Sequence, residues 1–389
     1  NVFMTIDILK NFIQSSNINF MFGSGLSRPY LPVLGEIESR LTQLSHDATI
    51  GKDERKIIET AIYKEYFTGV IYPNLSVPVV EGEDKNRYQE VMEQYSLFFQ
   101  LWSYILHHRS NNILSRQINI YSTNIDMFVE RAADLMKVEF NDGFRGTINP
   151  ILDETMFQKK VMKNSVHFMN TTEVPTFNLL KIHGGINWLT NEVGDITKDS
   201  ALSQVVKVSD ALKALKNENQ IQYGELSTMR CDFDLLENPE DSVKEAEPFL
   251  AEYEKIAMVN PNKSKFSLTV TDSHFYEMMR MYSNSLEKEN SLLFAMGFSF
   301  ADEHILNITC RTARRNPTLN IIIFAYQDSV KDGFSSKFEG FPNVFIIGPS
   351  DLKDKDGTPL APEFSFKGIN VIFNHIKNLI PPQFLHGTI

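Results

Sequence analysis

The chain has 389 residues, of which 42% are hydrophobic and 22% charged, values that exclude a largely disordered chain and suit one large or two ordinary domains. Its formal charge is −11, from 38 Lys and Arg against 49 Asp and Glu, which argues against a general grip on nucleic acid phosphates. Two cysteines, Cys231 and Cys310, cannot build a four-thiolate zinc site or a disulfide framework, so a reducing, cytoplasmic setting is expected. No apolar run reaches the ~18 residues of a membrane span, and no basic stretch followed by an apolar core marks a secretory signal.

In chain order, short apolar runs stop at small or polar residues. Ile18–Phe22 ends at Gly23, Ile118–Tyr121 at Ser122-Thr123-Asn124, and Leu179–Ile182 at His183-Gly184-Gly185. Ile256–Val259 ends at Asn260-Pro261 and Leu292–Met296 at Gly297-Phe298-Ser299, with Ile321–Ala325 and Val344–Ile347 following. Their length and flanks read as buried parallel strands. Helix-like stretches stand between several of them: Phe128–Val138, Tyr276–Glu289 and Glu303–Arg315, the last opened by Asp302 as an N-cap. Alternating strands and helices predict a mostly parallel, Rossmann-like α/β sheet whose ligands bind beyond the carboxyl ends of the strands. Two long segments, about 36–112 and 186–254, interrupt the pattern and read as mainly helical insertions within a single domain. From Asp234 to Glu254 there are eight acidic residues and one basic residue, Lys244, which reads as a solvated helical face, with a subunit contact or a gate as the sharper alternative.

The polar residues after these strands carry the chemistry. Gly23-Ser24-Gly25 after an apolar strand is a tight turn of the kind that lets backbone N–H groups approach a pyrophosphate, although Arg28 stands where a dinucleotide fingerprint has its third glycine. Taken singly, each element has a plain structural reading. His183 before two glycines could bond backbone in a turn, Asn124 and Asp126 could cap the following helix, and Asp302 and Glu303 read as capping groups.

Taken together, Gly23-Ser-Gly25-Leu-Ser27, Ser122-Thr-Asn124-Ile-Asp126, Lys181-Ile-His183-Gly184 and Gly297-Phe-Ser299 resemble the sirtuin family in identity, order and position. With Gly297–His304 the chain most resembles the divergent bacterial sirtuin-like proteins of anti-phage defence, which hydrolyse NAD. The resemblance implies that Gly23, Ser24, Gly25 and Ser27 cradle the pyrophosphate. It implies that Asn124 holds the water or ribose hydroxyls near the scissile nicotinamide–ribose bond, that Asp126 orients nicotinamide or its ribose, that Thr123 helps bind the dinucleotide, and that Gly297 and Ser299 line the adenosine side. His183 would be the general base, a group titrating near neutral pH beside an oxocarbenium-like ribose carbon.

Departures from the family shape the expected reaction. Deacylating sirtuins carry four zinc-binding cysteines after the His-Gly element, and this chain has only Cys231 there, so no zinc is expected. Arg28-Pro-Tyr-Leu-Pro32 replaces the usual Gly-Ile-Pro-Asp-Phe-Arg run, leaving Arg28 as a candidate contributor to the nicotinamide grip. Water is then the expected acceptor, giving ADP-ribose and nicotinamide. The resemblance also suggests control by homo-oligomerisation or by a HerA-type DNA-translocating ATPase. An NAD-binding scaffold or sensor, and an NAD-dependent deacylase or ADP-ribosyltransferase, are the competing readings.

Overall fold

The structure, a computed structural model, describes residues 4–33, 35–77, 81–109, 113–167, 170–216, 220–259 and 273–381. Its strands are β1 (Asn17–Phe22), β2 (Gln117–Ser122), β3 (Glu139–Asn141), β4 (Phe144–Arg145), β5 (Ile151–Leu152), β6 (Met162–Asn164), β7 (Thr171–Glu173), β8 (Thr176–Lys181), β9 (Gly184–Thr190), β10 (Ile196–Lys198), β11 (Ile256–Met258), β12 (Ser291–Met296), β13 (Asn320–Phe324) and β14 (Val344–Ile347). The helices are α1 (Ile6–Ser15), α2 (Gly35–His46), α3 (Lys52–Tyr66), α4 (Glu83–His107), α5 (Phe128–Met136), α6 (Ser203–Lys213), α7 (Leu226–Asp234), α8 (Pro239–Tyr253), α9 (Ser273–Glu287), α10 (Glu303–Arg315), α11 (Lys331–Lys337) and α12 (Phe366–Asn378).

Seven strands form one sheet in the order β14-β13-β12-β1-β2-β8-β3, with every neighbouring pair parallel. This is the expected α/β class. Alternating residues of the central strands serve two cores. Phe20, Phe22, Ile118, Ile120, Leu179, Phe294 and Met296 pack with α1, α4, α5 and α12 on one face. Met21, Tyr121, Leu180, Leu293 and Ala295 pack with α9 and α10 on the other. Burial on both faces is why these strands read as continuous apolar runs. Phe20 meets Phe98, Trp102 and Phe373 edge-on, at 5.0–6.2 Å between ring centroids, an arrangement aromatic pairs favour.

One expected parallel strand is placed elsewhere. Ile256–Val259 supplies β11, which pairs antiparallel with β9 in a second sheet ordered β11-β9-β10-β5-β4; Asn260 and Pro261 lie outside the described residues. Ile256 and Met258 are buried by a second layer of helices, whereas Ala257 and Val259 pack in the core of α9 and α10, and a short apolar run does not by itself reveal which sheet it joins. The two interrupting segments meet each other. Ile57, Ile58, Ile62 and Tyr66 of α3 share a core with Val205 and Val208 of α6 and with Phe249 and Tyr253 of α8. The acidic stretch follows the expected face: α8 buries Ala246, Phe249 and Tyr253, while Glu247 meets Lys56 at 2.9 Å and Glu245 meets Lys216 at 3.2 Å. α4 departs from the insertion picture, because Tyr95, Phe98 and Trp102 pack directly on the parallel sheet.

The sheet carries an internal polar row. Asn19, Asn119, Asn178 and Asn141 stand side by side on β1, β2, β8 and β3. Asn141 Nδ2 donates to Asn178 Oδ1 (3.0 Å), Asn178 Nδ2 to Asn119 Oδ1 (2.9 Å) and Asn119 Nδ2 to Asn19 Oδ1 (3.0 Å). Asn19 Nδ2 ends the row on the carbonyl oxygens of Asn17 and Leu292. Among the described residues, no helix is long and apolar enough to cross a membrane.

Candidate functional site

The register brings the carboxyl ends of four strands to one rim. Phe22 stands between Met296 and Ser122, and Ser122 lies beside Lys181. The pairing continues one residue further, with Gly23 N–H donating to Met296 O, Thr123 N–H to Phe22 O and Ile182 N–H to Ser122 O. The chain order reverses at β1, with β2 and β8 on one side and β12 to β14 on the other. Such a switch point is where open α/β sheets bind ligands.

The glycines of this rim pack on each other. Gly25 N–H donates to Gly297 O at 3.0 Å. A Cβ on Gly23 would lie 2.4 Å from Gly297 O, and one on Gly25 would lie 2.9 Å from Gly297 Cα. Gly297 itself has φ +60°, a conformation that costs a side-chain-bearing residue free energy. Close approach of two loops therefore accounts for these three glycines, and the N–H groups of Gly23 and Gly25 are engaged by backbone. Within the expected phosphate cradle, Ser24 is half-buried and Arg28 exposed, whereas the buried Ser27 hydroxyl donates to Asp126 Oδ2 at 2.6 Å. Arg28 lies near the Tyr326 phenol, beyond the end of β13.

The helix-capping alternative holds for Asp126, whose Oδ1 accepts from Phe128 N–H at the start of α5, but not for Asn124. α5 begins at Phe128, and Asn124 does not cap it. Asn124 Nδ2 donates to Gly23 O (3.0 Å) and its N–H to Ser122 Oγ (3.0 Å), tying the β2 loop to the β1 loop. Its residue is 6% exposed, and Oδ1, closed to solvent, has no hydrogen-bond partner among the described residues. Asp126 is more fully engaged: Oδ2 accepts from Ser27, Oδ1 from Phe128 N–H, and its backbone oxygen from Lys181 Nζ at 2.6 Å. Burial pushes the Asp126 carboxyl up, outweighing the Ser27 hydroxyl and the Lys181 charge. Lys181 also meets Glu130 Oε1 at 2.5 Å, and burial raises the Glu130 carboxyl as well. Asp126 thus belongs to a buried network below the rim.

His183 sits at the joint between the two sheets. β8 passes into β9 through Ile182-His183 alone, and Val259 N–H beside β11 donates to His183 O at 2.8 Å. Gly184, with φ +70°, lets this joint close on β11, since a Cβ there would lie 2.2 Å from Ala257 O. The ring does not bond backbone in the turn. Its Nε2 lies 3.0 Å from Asp302 Oδ2. β8 and β12 are three strand spacings apart, roughly 14 Å, so this bond joins loops from opposite sides of β1 and β2. Asp302 also caps α10, its Oδ1 accepting from His304 N–H (2.9 Å) and Ile305 N–H (3.1 Å). Burial would raise this carboxyl, but the His183 ring and these N–H groups outweigh it and hold the pKa down to about 2.

Sequence reading placed Asp302 correctly as a cap and missed its second oxygen. It also missed three side chains that fix the rim. The buried Tyr95 hydroxyl of α4 lies 3.4 Å from Ser27 Oγ. Asn74 Oδ1 accepts from Met127 N–H at 3.4 Å, joining the first interrupting segment to the β2 loop. Lys181 anchors Asp126, as above. The remaining expected residues lie on the same rim: Thr123 Oγ1 approaches Phe22 O at 3.4 Å, and Ser299 is exposed with its carbonyl accepting from Lys337 Nζ at 2.8 Å. Among the described residues, no three or more His, Cys, Asp or Glu side chains are grouped to hold a metal ion. No protein-family model matches the chain, and no curated protein matches it.

Proposed function

We propose that the chain is an NAD glycohydrolase that cleaves the nicotinamide–ribose bond with water as acceptor. The observation that carries this reading is the buried, unpaired Asn124 Oδ1 at the switch-point rim. Asn187, Asn343 and Asn370 also bury an amide oxygen without a partner among the described residues, so what singles out Asn124 is its place at the switch-point rim, where its acceptor suits a ribose hydroxyl or the attacking water. His183 reaches the same rim from the end of β8, its ring held 3.0 Å from Asp302 Oδ2. Asp126 supports the site from below by holding Ser27. Ser24 and the loop of Gly297 and Ser299 extend it toward β12, the side expected for the adenosine half.

Asn124 Oδ1 is closed to solvent, so a hydroxyl reaches it only when the covering loops part. That fits an enzyme restrained until triggered, by oligomerisation or by a HerA-type ATPase during phage infection. The test is chromatography of nicotinamide and ADP-ribose after incubation with NAD, for the protein alone and with the ATPase. His183→Ala should lower the rate by roughly 10²–10⁴. No release under any condition favours an NAD-binding scaffold, and release only with an acylated peptide favours a deacylase.

A further inference from the structure

We propose that Asp302 is a positioning residue, which holds the His183 ring as its Nε2–H tautomer and so makes Nδ1 the proton-accepting atom. The inference rests on the hydrolase reading for its chemistry and on the His183–Asp302 geometry for its structure. An N-cap needs one oxygen, and Oδ1 supplies it to His304 and Ile305. Oδ2 is left for the ring, 3.0 Å from Nε2. A carboxylate only accepts, so Nε2 must carry the hydrogen of this bond, and the lone pair of a neutral ring then resides on Nδ1. The backbone of His183 is fixed independently by Val259 N–H, and rotation of the ring about its side-chain torsions is what Asp302 removes.

In the reaction, a water oxygen bonds to the ribose carbon as the carbon–nitrogen bond breaks. The bonding pair returns to the nicotinamide ring nitrogen and neutralises its positive charge. The proton lost by the water goes to His183 Nδ1 and from there to solvent, so that one NAD and one water give ADP-ribose, nicotinamide and a proton. A ring fixed in the other tautomer presents Nδ1–H and cannot take that proton.

Asp302→Asn separates the two tasks of this residue. Asparagine caps helices as well as aspartate does, so α10 keeps its start. Its amide can turn Nδ2 toward the ring, where a donor stabilises the opposite tautomer. Nicotinamide release by Asp302→Asn should fall by roughly 10²–10⁴ in kcat, with KM changed little and the midpoint of thermal unfolding near that of the unchanged protein. Nitrogen NMR of protein labelled at histidine, with His183→Ala to assign the signal, should show Nε2–H in the parent and Nδ1–H in Asp302→Asn. A variant as active as the parent, or more active, overturns the proposal, as does an Nδ1–H ring in the parent. If the parent releases no nicotinamide, the hydrolase reading fails. The tautomer then decides the positioning alone: Nε2–H upholds it and Nδ1–H overturns it.

Discussion

The central sheet holds two buried polar sets, and they differ in how completely they are satisfied. In the asparagine row across β1, β2, β8 and β3, each side-chain acceptor from Asn19 to Asn178 receives a neighbour's Nδ2. At the carboxyl rim of the same strands, Asn124 donates to Gly23 O while its own oxygen stays empty. The amide chemistry is identical, so the difference is one of purpose. A closed row rewards one strand register and penalises a slip, because a shift of one residue would bury several unpaired amides. An open acceptor adds nothing to the folded chain until something else fills it.

The sharpest way to break this comparison is to remove each asparagine in turn. Asn124→Ala should slow nicotinamide release by roughly 10²–10³, the usual loss when one oriented polar group leaves a reacting centre. Its stability should change by only about 1 kcal/mol, since one side-chain hydrogen bond to Gly23 O is lost and the orphan oxygen goes with it. Asn178→Ala should do the reverse. It takes the donor from Asn119 Oδ1 and the acceptor from Asn141 Nδ2, and should cost about 2–3 kcal/mol in chemical denaturation while kcat of the folded fraction holds. Equal destabilisation by the two variants would show that Asn124 is structural after all.

A smaller effect tests whether the rim glycines serve packing. Gly23→Ala places its Cβ against Gly297 O and should cost about 2 kcal/mol, because neither backbone can retreat. Gly333→Ala is the control: it lies in α11 with no atom within 4 Å of the added Cβ, and should be neutral or slightly stabilising. If Gly23→Ala folds normally but binds no NAD, these glycines serve ligand approach more than loop approach.

The two sets also differ in how far the sequence revealed them. Ile18–Phe22, Ile118–Tyr121 and Leu292–Met296 are buried on both faces, so their apolar runs announced parallel strands, and the small residues after each marked the rim. The asparagine row was invisible, because Asn19 and Asn119 interrupt their runs singly, Asn178 stands just before Leu179–Ile182, and only the register aligns them. The His183–Asp302 bond joins residues 119 apart in the chain, and capping already explained the aspartate. Tyr95 lies in the middle of a long helix, where an aromatic residue at core spacing carries no mark of contact with Ser27. Ile256–Val259 misled for the opposite reason: the run is apolar and buried on both sides, Ile256 and Met258 against second-layer helices and Ala257 and Val259 in the core of α9 and α10, yet it joins the second sheet.

The last predicted effect is an acid limb confined to the rim. Burial alone would raise the Asp302 carboxyl, yet His183 and the α10 N–H groups hold it to about 2, against an ordinary value of 3.8. A carboxyl with a lowered folded pKa stabilises the fold above its unfolded value and loses that contribution as pH falls through its folded value. Asp302 should therefore add about 2 kcal/mol above pH ~4, which disappears between pH ~4 and ~2. Asp126 and Glu130 act with the opposite sign, because burial raises both and their neutral forms favour the folded state. Total acid stability consequently mixes the two, whereas the difference between the parent and Asp302→Asn isolates one. That difference should shrink toward zero by pH ~2. If it stayed constant with pH, the carboxylate would contribute no charge-dependent stability, and the bridge between the β8 and β12 loops would be a neutral contact.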